Sequence, residues 1–124
     1  MEQTRPLRPA HEVLAEVGAL LDTIDPDRAL LTDSERLTLV TTARTVAGRT
    51  QALAGTLAAE AAAVEAADRH AGVPLASWLA ATDLLTRREA HRLIGQGRDL
   101  TRFPHLTHAA LTGQIGIDQA HAIT

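Results

Sequence analysis

Six histidines and twelve arginines carry most of the chemistry open to this chain of 124 residues. Two pairs have helical spacing: His105 with His108, and Asp118 with His121. Groups three residues apart share a helix face, so each pair presents two donors side by side. A transition-metal site needs three or four converging ligands, often thiolates. The chain has no cysteine, and nothing in the spacing brings the pairs together. They are expected to be exposed helical side chains, with no metal and no cofactor. No glycine-rich phosphate loop, serine nucleophile motif or small-molecule substrate site is recognisable. The chain is therefore not expected to be an independent enzyme.

The arginines point elsewhere. Every basic residue other than histidine is Arg, set against fifteen acids, for a formal charge of −3. A chain that wraps much nucleic acid is usually basic overall, and this one is not. The charge is uneven, however. Residues 1–70 hold seven Arg against eleven acids, a balance of −4; residues 86–105 hold five Arg against Glu89 and Asp99, a balance of +3. Arg87, Arg88, His91 and Arg92 stand near the start of one expected helix, with Arg98 and Arg102 further along. Such a row would contact phosphates rather than specify sequence. The competing reading is a solvated helix face with no ligand.

The elements that must position these residues are helices. Lys, Tyr, Asn and Cys are absent, and Trp, Phe and Met occur once each. Core volume must come from Leu, Ile, Val and abundant Ala, and both Ala and Leu favour helix. The fold class expected is all-α: a helical bundle with one long helix and a helix-turn-helix-like C-terminal half. Residues 1–9 read as a flexible arm and 10–124 as a single helical domain. The chain stops within an apolar-periodic helix, so that domain is expected to be truncated at its C-terminus. No apolar run approaches the roughly 18 residues of a membrane span, and Met1–Ala10 lacks the apolar centre of a signal peptide. A cytoplasmic protein is expected.

A first amphipathic helix starts near Ala10, with Val13, Leu14, Val17, Leu20, Leu21 and Ile24 on one stripe and Pro26 enforcing its end. Asp25–Pro26–Asp27 reads as a turn. Thr32 and Glu35 form a capping-box pattern that opens a helix able to run to about His70, with Gly72 as its stop. That span, about 33–70, would be on the order of 55 Å long, too long for one small neighbour to cover. Leu39, Val46, Leu53, Leu57 and Val64, with Ala43, Thr50 and Ala61 between them, recur at spacings of three and four. They form either a core face buried within the chain or the seam of a homodimer. Gly48 and Gly55 would let a partner helix approach closely, or would allow a kink.

Beyond Pro74, a short helix carries Leu75, Leu79 and Trp78, the last expected to be a core anchor. After a turn at Asp83–Leu84–Leu85, Thr86 and Glu89 cap a helix reaching about Arg102; Pro104 opens another that ends near Gly113. A shift of thirty residues pairs Ala80 with Ala110, Leu85 with Ile115, Ala90 with Ala120 and His91 with His121. Both copies read as helix, turn, helix, with a small residue at the crossing. Only the first copy carries a basic outer face, as a DNA reader would need.

The segments Ser77–Thr82, Leu85–Leu93 and Gly97–Leu100, together with Leu111–His121, resemble the actinobacterial 13E12 repeat family, also called domain of unknown function 222. The likeness extends over the preceding Ala-rich helix. It implies a helical region that often precedes an HNH endonuclease domain in proteins of mobile elements. The nuclease centre itself usually includes an Asn, and this chain has none, so no catalytic residue carries over. Gly116 stands where the family usually has a capping Ser or Thr. The expectation is a non-catalytic, DNA-associated accessory or targeting module. The alternative is a protein-interaction or homodimerisation module that uses the long helix and makes no DNA contact of its own.

Overall fold

A computed structural model describes residues 6–83 and 85–113. Among these residues there is no strand, and the all-α expectation holds: α1 (Ala10–Leu21), α2 (Asp33–Ala63), α3 (Ala66–Ala71), α4 (Leu75–Thr82), α5 (Arg87–Arg102) and α6 (Pro104–Thr112). The chain divides into two compact units, Met1–Glu35 and Arg36–Thr124.

In the first unit, Arg8 pairs with Glu12 at 3.7 Å and also with Glu16. The amides of Glu12 and Val13 bond the Pro9 carbonyl, starting α1. The helix stops at Leu21, before Ile24 and well before Pro26. The Thr23 hydroxyl donates to the Leu20 carbonyl at 2.7 Å, and Thr23 and Ile24 close three-residue turns. No residue of α1 is buried. The expected turn is present, with the amides of Asp27 and Ala29 bonded to the carboxylates of Asp25 and Asp27. The capping box also forms in both directions: Glu35 N–H donates to Thr32 Oγ1 at 3.1 Å, and Thr32 N–H to Glu35 Oε1 at 3.0 Å. Hydrogen bonds from the Thr32 amide and then its hydroxyl hold the Glu35 carboxyl below its ordinary value.

In the second unit α2 is the scaffold, though it ends at Ala63 rather than near His70. The Glu65 amide closes a tight turn on the Ala62 carbonyl, and Glu65 adopts φ 53°, a left-handed conformation. The freed Val64 carbonyl accepts from the Arg69 guanidinium. No Gly or Pro marks the break. What the bend gains is packing: Ala67 is buried, and α3 runs onto α4. Tertiary context overrides the helix preference of the Ala run. Gly72, at φ 71°, then ends α3.

Two clusters form the core. Ala58 of α2 packs with Ala76 of α4 and with Ala90 and Ile94 of α5; Ala52 packs with Leu100 of α5 and Ala110 of α6. Between them α2 and α5 meet backbone to backbone. A Cβ added at Gly55 would lie 3.3 Å from the Gly97 nitrogen, and one at Gly97 would overlap the Gly55 carbonyl. Gly55 therefore provides the expected close approach within the chain, whereas Gly48 has nothing within 4 Å. Trp78 is half-buried rather than a core anchor; α4 turns Ala76, Leu75 and Leu79 inward instead. Gly113, at φ 81°, ends α6 as expected, and Arg49 Nε of α2 donates to the Leu111 carbonyl at 2.9 Å. The part of the second helix-turn-helix copy from residue 114 on, with Gly116, Asp118 and His121, lies outside the described residues.

Candidate nucleic-acid interface

Helix α5 is the element that organises the basic residues. Thr86 caps it, its hydroxyl accepting from the Glu89 amide at 3.0 Å and donating to the Glu89 carboxylate at 3.0 Å. Ala90, Ile94, Gln96, Gly97 and Leu100 are its buried side. At about 100° per residue, Arg87, His91, Arg98 and Arg102 fall within an arc of roughly 60°. Arg88 and Arg92 widen that arc to roughly 140°. All six are exposed and lie outside the buried arc, which adjoins them at Ile94 and Gln96. From Arg87 to Arg102 the ridge runs about 22 Å along the helix axis.

Electrostatics along the ridge follow from its sequence. Among the described residues, no carboxylate lies within ion-pairing distance of Arg87, Arg88, Arg98 or Arg102. Arg102 lies over the ring of Phe103, 5.9 Å from its centroid, and Phe103 is 40% exposed. Asp99 is half-buried within the ridge and, like Arg92, has an interaction within the fold. The sequence-derived set is therefore brought together as one surface. Such a row of guanidiniums can meet successive phosphates, but it offers little that reads bases.

The proposed seam residues are placed differently. Leu39, Val46, Leu53 and Leu57 lie on the side of α2 about 180° from Gly55. Leu39 and Val46 are 47% and 48% exposed, while Leu53 and Leu57 are half-buried. Val64 falls beyond the end of α2 and is exposed. His108 is exposed; the side chain of His105 lies outside the described residues. No group of three His, Asp or Glu converges among the described residues.

Sequence reasoning missed two polar residues. Arg49 reaches across 62 positions to the end of α6, a partnership that no local pattern announces. Gln96 is only 3% exposed, on the inner side of α5 between Gly95 and Gly97. It lines a groove of about 450 Å³ between α2 and α5, with Gln51 and Ala54 on the opposite wall. Glu89, Arg92 and Leu93 continue the α5 wall, and Asp83 and Leu85 close the end at the turn. Arg92 thus borders both the groove and the basic ridge.

Compared with known proteins, the chain matches no family model, no curated protein and no solved structure. Among the described residues, no helix is long and apolar enough to cross a membrane.

Proposed function

We propose that the chain is a non-catalytic module that contacts nucleic acid through the exposed face of α5, serving an HNH-endonuclease-type or mobile-element protein. One observation carries the contact: Arg87, Arg88, His91, Arg92, Arg98 and Arg102 are all exposed in one arc of α5 outside its buried residues, with Arg92 at the edge next to the groove. The local balance of +3 within a chain of charge −3 supports it. The nuclease context rests on the motif resemblance between Trp78 and His121 alone.

The contact acts by counterion release, so affinity should fall steeply with salt, with a slope of about −0.9 per phosphate neutralised on a log–log scale. A salt titration of duplex binding tests it. Replacing Arg88 and Arg92 together by Ala should weaken binding and flatten the slope by about two units. An unchanged slope refutes the assignment.

A second reading is favoured by the exposed half of the α2 seam. Leu39 and Val46 face away from Gly55 and from the core clusters, as they would if a second copy covered them. Here Val46→Asp should abolish self-association, measured by light scattering, without unfolding the monomer. A wild-type chain that is monomeric at all concentrations removes this reading.

A further inference from the structure

The groove beside α5 differs in charge from the ridge it adjoins. The ridge is strongly positive, whereas the groove carries Asp83 and Glu89 against Arg92 alone. We infer that this groove receives one unpaired nucleobase bearing an exocyclic amine, supplied by a strand whose backbone lies along the basic ridge. The inference rests on the reading of α5 given above and adds the class of ligand.

With two carboxylates and one guanidinium, the interior disfavours phosphate and favours hydrogen-bond donors. Cytosine, adenine and guanine each carry an exocyclic amine that can donate to a carboxylate; thymine has none, and its single N3–H lies between two carbonyls that a carboxylate repels. Arg92 and Gln96 already interact within the fold, and the Glu89 carboxylate accepts from the Thr86 hydroxyl, which leaves Asp83 and the Gln51 amide to meet the base edge. Leu93 supplies apolar surface for a ring face. A volume of about 450 Å³ lies within the range of small-ligand sites. A paired base stays in its stack, and extruding it costs energy, least where it is already unpaired. Arg92, shared by groove and ridge, is where the strand's phosphate and its base would diverge. A cationic protein side chain would also suit Asp83 and Glu89, but Arg92 on the same wall repels it.

The test uses fluorescence anisotropy with labelled duplexes that are identical except for one unpaired cytosine, one unpaired thymine, or none. The cytosine duplex should bind on the order of tenfold tighter than the other two at the same salt. Asp83→Ala combined with Gln51→Leu, both at exposed positions, should erase that preference and leave the salt slope unchanged. Circular dichroism of the variant checks that it is folded. Equal binding of all three duplexes by the wild type overturns the inference and leaves the ridge reading intact. A preference that survives the double substitution overturns the site. Failure to bind any duplex at low salt removes the ridge reading and this inference with it.

Discussion

Replacing Gly97 by Ala tests the idea that α2 and α5 are held by direct backbone contact. In an open helix this change stabilises by about 1 kcal/mol, because Ala surrenders less chain entropy than Gly. At Gly97 the new Cβ would overlap the Gly55 carbonyl, and its distance to the Gly55 Cα would be 3.1 Å. The obstacle is backbone, which cannot rotate aside as a side chain could, so the helices must separate. Separation loosens Ala52 against Leu100 and Ala58 against Ala90 and Ile94, the pairs on either side. Overpacking of this kind costs about 3 kcal/mol at the upper end of its usual range. Less the propensity gain, the net loss is about 2 kcal/mol. Gly48→Ala is the matched control: with nothing within 4 Å of its Cβ, it should gain up to about 1 kcal/mol. Urea unfolding followed by circular dichroism measures both. If Gly97→Ala is as stable as the wild type, the crossing is not as described.

Two further perturbations probe the ends of the long helix. Glu65→Gly should stabilise the fold by about 0.5–1 kcal/mol, since relief of left-handed strain outweighs the extra freedom of Gly in the unfolded chain. A continuous helix through this point would give the opposite sign in urea unfolding. At the other end, the Glu35 carboxyl lies below its ordinary 4.5 when folded. The capping-box contribution should therefore be fully present above pH about 4.5 and fade as pH falls through the lowered folded value. Amide exchange at Thr32 should accelerate over that acid range in the wild type. In Glu35→Gln, whose side chain does not titrate, the same amide should show no such step; a matching step there would refute the assignment.

Local features were the ones legible in the sequence. Both capping boxes, Thr32 with Glu35 and Thr86 with Glu89, join residues three apart and formed where they were expected. Gly72 and Gly113 ended helices because only a residue without Cβ takes positive φ at little cost. The single basic side of α5 follows from helical periodicity, and the spacing of its arginines is enough to name its residues. What was hidden depends on distant partners. Nothing in Gly48 and Gly55 tells which one meets a helix, because the answer is Gly97, forty-two positions away from Gly55. The break at Glu65 follows an Ala-rich stretch that favours continuing, and packing of α3 on α4 decides against it. The groove needs walls from α2, the turn and α5 together.

The glycine crossing has a consequence for how the arginines are aimed. Where side chains separate two helices, the interface can adjust by changing rotamers, and the outer face swivels with it. At Gly55 and Gly97 there are no rotamers to change, so α5 can neither roll nor slide without driving one main chain into the other. The bearing of the guanidinium row is thereby set by peptide geometry, and exchanges among the surrounding aliphatic residues would alter how firmly the joint holds while leaving its direction unchanged.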